Sequence, residues 1–481
     1  MALACLCVSP ALALDRGVLV EALRLPPITM NLNVTFATSE LKIPLAKDPA
    51  AEVLAIRARL VEEDQPALHL RLGKLLTSLG RTEEAGAEYR IALQGFSELV
   101  ARKPDDAMAH AQYAEALMAI GDDAEAASHI ERALILDSSL WQAHQLSAEL
   151  HSKHAVLALN QRMVNLMQGH LRAAESEAQE AVRLAPQEAQ PLVTLFVAKW
   201  LPLVLILRAD PASGLRSLGS FEEMAELLKK AADLTPDYPR LRQFSVAAKL
   251  TPFFALQMVR GLEKGLWEEL DQQQRRILTS CRDELQALAA QAPELKADAL
   301  LFLGVTTFMM GDKPRMYALL REAAEADPTG TAALEAIIGF QANEGNWEAA
   351  LKTANEAVAR RPSGKAHTWL GRIYAEQRKW KEAEQSFRVA MSYRDSVGLA
   401  SLGLGVVVLK SGGNAAVALE PLHTAVASGQ AQPEALLALA VAQCLVGDMA
   451  SGRRTAREAL SMMATTPELE RAAKEMGVST G

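Results

Sequence analysis

The sequence predicts an all-α protein, a right-handed α-solenoid of about ten helix-turn-helix units that lose regularity and lengthen in the middle. A chain of 481 residues is too long for one compact domain, yet it contains no clean linker. Half of its residues are hydrophobic, so it can bury enough apolar surface to be ordered. Small residues and glycines also recur at a fixed interval, which is typical of stacked helix pairs.

The stretch WLGRIYAEQRKWKEAEQSFRVA, residues 369–390, shows the pattern most clearly. Two antiparallel helices approach closely only where small side chains face each other, which predicts that Gly371, Ala383 and Ala390 lie between the helices. Tyr374 and Phe387 would fill the remaining space. By the same frame, Ala357 of the preceding unit is expected to be buried at a helix contact.

The interval in the C-terminal half is 34 residues, both from Gly311 to Gly345 and from Pro328 to Pro362. Such glycines end first helices and such prolines stop second helices. The turn glycines Gly80, Gly121 and Gly447 continue this frame elsewhere.

Together these positions resemble the tetratricopeptide repeat, a helix-turn-helix unit of about 34 residues. The repeat that contains residues 369–390 departs from that family at two places, one on each side of this stretch. His367 stands at the usual first tryptophan, and Asp395 stands at the usual proline.

The resemblance covers about residues 64–464 and gives five predicted regions. Residues 64–138 and 294–464 are regular repeats, and 139–293 are irregular units with long helices. Residues 465–481 are a capping helix and tail, and 1–63 are a leader or misassigned start followed by a first helix. In the middle, the late alanines Ala92, Ala133 and Ala181 are 41 and 48 residues apart. A difference of seven residues is about two helical turns, so it lengthens a helix without turning its buried face.

The apolar stretch Leu192 to Leu207 is sixteen residues long. As a helix it would span about 24 Å against a hydrocarbon core of ~30 Å, and it carries Lys199 and Pro202. Similar repeats lie on both sides of it. A buried helix is therefore predicted in preference to a membrane span.

The N-terminus, MALACLCVSPALALDRG, is apolar like a signal peptide but has no positively charged start. Met30 begins a more ordinary sequence and is a second candidate start. The sequence favours a cytoplasmic protein, and export to the periplasm stays open.

Composition and motifs favour a protein that is not an enzyme and holds no cofactor or metal. The net charge is -8 with no large basic cluster, which argues against nucleic-acid binding. His144, His151 and His154 fall near one helix face, but no carboxylate or cysteine with ligand spacing completes a metal site. The four cysteines are too scattered for a disulfide framework or zinc site, and phosphate-loop and nucleophile-elbow motifs are absent.

The resemblance implies a non-catalytic scaffold or adaptor that binds a peptide or helix of a partner protein in a concave groove. The alternative is an exported or membrane-peripheral assembly factor that uses the same repeats. By the family's geometry, residues of the first helices at spacings of three and four form the inward stripe of the groove. The candidate groove residues are Leu301, Val305, Phe308, Lys365, Thr368, Arg372, Leu404, Val407, Leu437 and Val441.

This stripe is mostly apolar, with the basic pair Lys365 and Arg372 in its middle. An open stripe predicts an amphipathic helix or extended apolar segment as ligand, with an acidic group that meets the basic pair. The sequence also allows the stripe to be covered by a neighbouring turn or by a terminal helix near Pro467 to Met476.

Overall fold

The computed structural model describes residues 14–24, 48–79, 81–161, 163–209, 213–236, 238, 240–393, 396–429, 432–463 and 465–479. Within these ranges the chain is helical and contains no β-strand, so the predicted all-α fold is confirmed. Cys5, Cys7, Gly80 and Asp395 lie outside the described residues, as do both candidate start methionines.

The helices divide between two compact units, whose boundary falls inside one helix. We call residues 32–316 the N-terminal unit and residues 1–31 together with 317–481 the C-terminal unit. The first helix, α1 (Arg16–Glu21), belongs to the C-terminal unit.

The helices of the N-terminal unit follow one another with short connections. They are α2 (Pro49–Glu62), α3 (Pro66–Ser78), α4 (Thr82–Arg102), α5 (Ala107–Ile120), α6 (Asp123–Leu136), α7 (Trp141–Asn160), α8 (Val164–Leu184), α9 (Ala189–Ala209), α10 (Ser213–Arg216), α11 (Leu218–Leu234), α12 (Arg240–Arg260), α13 (Gln272–Gln291) and α14 (Lys296–Met309). Two short 3-10 helices, Trp267–Glu269 and Pro293–Leu295, flank α13.

The boundary helix is α15 (Lys313–Ala326). The remaining helices of the C-terminal unit are α16 (Ala332–Asn343), α17 (Trp347–Arg360), α18 (Gly364–Glu376), α19 (Trp380–Met391), α20 (Val397–Lys410), α21 (Ala415–Ala427), α22 (Gln432–Leu445), α23 (Met449–Leu460) and α24 (Pro467–Glu475).

The helices pack in pairs because small residues let them approach. A Cβ atom built on Gly371 of α18 would lie 2.9 Å from Cδ1 of Phe387 on α19, so only glycine fits there without a shift. Ala357, Ala383 and Ala390 are fully buried, as the frame predicts. The same arrangement recurs in the N-terminal unit, where a Cβ atom on Gly73 would lie 2.6 Å from Cε1 of Tyr89.

The first helix of most pairs ends at a residue with positive φ. Equivalent positions in different repeats can be found by counting back from this turn residue. It is usually a glycine because the left-handed region costs other residues energy. The turn residues of this kind include Gly121, Gly311, Gly345, Arg378, Gly412 and Gly447.

Five of the helices from α7 to α13 are long. α7, α8, α9, α12 and α13 have 20 or 21 residues, whereas the helices from α14 to α23 have 12 to 14. In the α7–α8 pair, His151 contacts His170, while His144, seven residues earlier, contacts Glu177, seven residues later. The two helices are therefore antiparallel, and two turns separate the contacts. The predicted boundaries at residues 63, 138, 293 and 464 stay predictions.

The apolar stretch that begins at Leu192 lies in α9. Phe196 and Trp200 are 0% and 2% exposed, and both belong to an aromatic cluster with Phe221 of α11. Lys199 forms ion pairs with Glu175 at 3.5 Å and Glu223 at 2.9 Å, so its charge is neutralised by the neighbouring helices. Within the part of the chain that the structure describes, no helix is both long and apolar enough to cross a membrane.

Candidate protein-binding groove

The groove face is defined by residues of the first helices at fixed distances before the turn residue. Thr368 and Arg372 are ten and six residues before Arg378, and Leu437 and Val441 are ten and six residues before Gly447. A spacing of four places each pair of residues on one helix face.

Most of the predicted groove residues are buried. Val305, Phe308, Leu404, Val407, Leu437 and Val441 are all at most 4% exposed. Leu301, Lys365, Thr368 and Arg372 are half-buried. The predicted stripe therefore contributes mainly to packing, and a partner could reach only its half-buried members.

The contacts of two glycines determine the repeat frame of α20. A Cβ atom on Gly405 would lie 2.4 Å from Cγ of Leu422 on α21, the second helix of the same pair. A Cβ atom on Gly403 would instead lie 2.3 Å from Cε1 of Phe387, in the preceding pair. Gly405 is thus the counterpart of Gly371, and each lies seven residues before its turn residue.

This frame assigns other α20 residues as counterparts of the predicted groove residues of α18. Leu402 and Val406, ten and six residues before Gly412, correspond to Thr368 and Arg372. Leu404 and Val407 are out of register with them by two residues and one residue.

The two members of the basic pair have different surroundings. Lys365 forms an ion pair with Glu335 of α16, and its Nζ lies 5.2 Å from the centroid of the Trp369 ring. Arg372 is only 15% exposed, and its nearest carboxylate, Glu376, is 3.9 Å away. Its buried Nε has no hydrogen-bond partner among the described residues, and burial lowers the pKa of its guanidinium to about 10. Arg372 is therefore the better candidate for contact with an anionic group.

Helix α1 packs against α22 and α24 of the C-terminal unit, and Leu23 and Arg24 follow directly after it. Leu19 and Leu23 are 0% and 1% exposed, in the same hydrophobic cluster as Leu402, Leu437 and Val441. Arg16 donates from Nη2 to the backbone oxygens of Leu409 at 2.9 Å and Gly413 at 2.7 Å, just where α20 ends. A cation at a helix C-terminus satisfies its free carbonyl groups and its dipole.

Polar contacts hold the outer side of α1 against α24. Arg471 and Glu21 form an ion pair at 3.3 Å, and Arg24 and Glu468 form another at 3.5 Å. The backbone nitrogen of Asp15 donates to Oε1 of Glu475 at 2.7 Å. A cover of the stripe by the terminal helix stays a prediction, and the contact between α1 and α24 was not anticipated from the sequence.

The C-terminal end of α14 is also covered. The backbone nitrogen of Leu266 donates to the oxygen of Met309 at 2.8 Å, and Gly265 lies against the backbone of Phe308. A Cβ atom on Gly265 would be 2.2 Å from the backbone oxygen of Phe308, so the segment before α13 packs directly on α14.

A pocket of about 230 Å³ opens between the first helices α7 and α9. Its apolar rim includes Val156 and Leu157, which are 38% and 46% exposed. Oγ1 of Thr194 is buried in its wall without a hydrogen-bond partner in the described chain. The residues that line the pocket are Glu149, Ser152, Lys153, Val156, Leu157, Gln190, Val193, Thr194, Val197 and Leu201.

The histidines of α7 separate into two groups. His144 contacts Glu177 through Nδ1 at 2.6 Å and the oxygen of Ser138 through Nε2 at 3.1 Å, so both ring nitrogens have partners. His151 and His154 instead converge with His170 of α8. The sequence grouped the three histidines of one helix and missed His170, although the 19-residue spacing from His151 repeats that of His110 and His129.

Cys281 and Cys444 are free and buried. Burial raises the pKa of the Cys281 thiol to about 12 and also raises the pKa of Cys444. Neither is therefore suited to act as a nucleophile.

Comparisons with known proteins identify the repeat. The family model for the tetratricopeptide repeat matches residues 88–140 and 341–396. No curated protein matches the chain.

Several solved structures are similar. Tom70 of yeast is 12% identical, with 88% of this chain and 91% of that chain covered and a TM-score of 0.45. A tetratricopeptide repeat protein of Parabacteroides merdae is 18% identical, with 42% and 85% covered and a TM-score of 0.33. YrrB, described as having an unusual peptide-binding site, is 17% identical, with 51% and 98% covered and a TM-score of 0.31. With TM-scores this low, none of them identifies a partner for this chain.

Proposed function

Because the chain carries tetratricopeptide repeats, we propose that it is a non-catalytic scaffold that binds a peptide or helix of a partner protein on the face of its first helices. The pocket between α7 and α9 carries this proposal. It combines two exposed hydrophobic side chains, Val156 and Leu157, with the buried hydroxyl of Thr194, which has no hydrogen-bond partner among the residues that the structure describes. Pockets of this kind bind an apolar side chain and orient it by a hydrogen bond.

The ligand that fits is an amphipathic helix or extended segment whose apolar side chain enters the pocket. Thr194 would donate to a carbonyl group or accept from an amide group of the ligand. Lys153 and Glu149 at the rim add polar contacts that favour one orientation of the ligand.

A second contact region is proposed in the C-terminal unit, from the half-buried members of the predicted stripe. Arg372 would meet an acidic group, because its buried Nε has no hydrogen-bond partner among the described residues and Glu376 lies 3.9 Å from its Nη2. Thr368 lies one turn before it on the same face of α18. Leu301 stays a candidate in the N-terminal unit.

A peptide selection with paired variants tests the pocket. Helix-forming peptides displayed on phage are selected against the full chain, and the affinity of the best one is measured by fluorescence anisotropy. Leu157→Glu places a charge in the apolar rim and should weaken binding roughly tenfold to a hundredfold, or about 1.4 to 2.8 kcal/mol.

The matched control is Ile135→Glu on α6, where the isoleucine is 67% exposed and outside the pocket. It should bind like wild type, and circular dichroism should show unchanged helicity in both variants. Equal affinity of all three proteins would place the ligand elsewhere.

We also propose a cytoplasmic location, with export as the alternative. The packing of Leu19 and Leu23 supports a mature chain that retains α1. The mature N-terminus, determined by mass spectrometry of the native protein, tests this. A start at Met30 would remove α1 and contradict its role in the C-terminal unit, and a processed leader would favour export.

A further inference from the structure

Three histidines meet on the face between α7 and α8. His151 and His154 are three residues apart on α7, and His170 comes from α8. Each offers one ring nitrogen, and these three nitrogens all lie within 4.8 Å of one another. The three residues are neither fully buried nor fully exposed, so a small ion could reach them from solvent.

This cluster is a variation on a contact that recurs every 41 residues. His69 contacts Glu88 at 2.6 Å, His110 contacts His129 at 2.7 Å, and His151 contacts His170 at 3.1 Å. Each pair is 19 residues apart and joins the two helices of one repeat. Such a pair by itself is a structural hydrogen bond.

What distinguishes the third pair is the residue three positions after its first histidine. This position is Leu72 in the first repeat, Tyr113 in the second and His154 in the third. Tyr113 lies edge-on to His129 with ring centroids 4.6 Å apart, and His154 lies edge-on to His170 at 5.2 Å. The third repeat thus places an imidazole where its neighbour has a phenol, without changing the packing geometry.

We propose that His151, His154 and His170 bind a divalent transition metal, zinc first among them, that ties α7 to α8. Zinc is bound by imidazole nitrogens at about 2.0 to 2.1 Å in tetrahedral geometry, which requires nitrogens about 3.4 Å apart. The nitrogens of His151 and His170 are already 3.1 Å apart. Rotation of the half-buried His154 side chain would bring its nitrogen into the same shell and leave a fourth position for water.

The surroundings of the three imidazoles favour a cation. Oδ2 of Asp123 lies 3.9 Å from Nε2 of His154, so a carboxylate stands close to the proposed cation. The ammonium group of Lys153 is held by Asp123 at 2.6 Å.

Zinc titration of the full chain, prepared without a polyhistidine tag, tests the site. Wild type should bind about one equivalent in isothermal titration calorimetry with a competing chelator. His154→Tyr installs the residue of the neighbouring repeat, so the helix contact is kept while a ligand is lost. It and His170→Gln should each weaken binding by about a hundredfold or more.

The matched control is His129→Gln, which breaks the equivalent pair in the repeat without the third histidine. It should bind zinc like wild type. Binding of the same strength in His154→Tyr and His170→Gln would overturn the proposal and leave the trio as a structural contact. Cobalt gives a second criterion, since a site of imidazoles shows d–d absorption without the intense near-ultraviolet band of a thiolate ligand. A dominant thiolate band would assign the metal to cysteine instead.

A measurement on wild type alone keeps the test independent of how the variants fold. Zinc should protect His151, His154 and His170 from modification by diethylpyrocarbonate, as mapped by mass spectrometry of peptides. The exposed His423 should react equally with and without zinc. Equal reactivity of the three histidines in both conditions would overturn the site.

Discussion

The face of the first helices is open at α7 and α9 but filled at α20 and α22. In the first region Leu157 is 46% exposed beside a pocket, and in the second Leu437 is 1% exposed. Both regions use the same repeat architecture, so the difference arises from what lies on the face. In the second region the chain's own helix α1 packs against α22, whereas a partner would have to supply such a contact in the first.

The comparison also shows which chemistry this face accepts. Leu19 of α1 and Leu23, two residues after its end, are buried four residues apart, and Arg16 reaches a helix end. It is a short helix with an apolar side and a charged rim. The ligand proposed for the pocket has the same character, which makes α1 an internal example of the binding mode.

Removal of the buried leucines of α1 should give the largest effect. Leu19→Ala and Leu23→Ala leave cavities among packed side chains and should each lower the free energy of unfolding by about 2 to 5 kcal/mol. Leu54→Ala is the matched control, because Leu54 is 70% exposed and should change stability little. Urea unfolding followed by circular dichroism measures all three. If the α1 variants are as stable as Leu54→Ala, α1 does not fill the C-terminal groove in solution.

Overpacking of the C-terminal pairs should give an intermediate effect. Ala390→Leu, at a fully buried helix contact, should destabilise by about 1 to 3 kcal/mol, and Ala357→Leu should do the same. Ala416→Leu on α21 is the control, since that alanine is exposed. Thermal unfolding distinguishes the sites, and equal midpoints for Ala390→Leu and Ala416→Leu would mean that the repeat frame is misplaced.

Lowering the pH should give the smallest effect on stability. It acts on the N-terminal unit through protonation of His129. Burial, assisted by the charge of His110, lowers the pKa of His129 below its ordinary 6.5. The unfolded chain therefore binds more protons at this histidine than the native chain just below pH 6.5. The contribution of neutral His129 to the free energy of unfolding is complete above that pH and is lost as the pH falls.

His129→Gln should make urea stability fall less steeply between about pH 7 and about pH 5.5. The slopes of the variant and wild type against pH are the measurement. A variant with the same slope as wild type would show that His129 titrates normally.

The repeat fold could be predicted from the sequence because contacts between residues close in sequence determine it. Gly371 and Phe387 had to meet once a helical hairpin was recognised, and burial of Ala357 and Ala390 followed from the same frame. Which residue of α20 occupies the small position of its repeat could not be predicted in this way. Two glycines two residues apart, Gly403 and Gly405, can each serve as the small position, and only the neighbouring Phe387 and Leu422 distinguish them.

The candidate sites were predicted less well because they depend on residues distant in sequence. His170 joins His151 and His154 from another helix, although the repeated 19-residue spacing was a usable signal. The docking of α1 had no such signal. Six helical residues carry no repeat pattern, and their contacts lie more than 390 residues away at Leu409 and beyond.

That separation has a consequence for biosynthesis. Asp15 and Glu475 are 460 residues apart, so α1 is synthesised long before the helix that it binds. At about 5 to 20 residues per second, Leu19 and Leu23 wait roughly 20 seconds to a minute and a half without their packing partners. During that interval they belong to an exposed apolar segment suited to capture by a chaperone, and the C-terminal unit cannot complete its core until Glu475 has been synthesised.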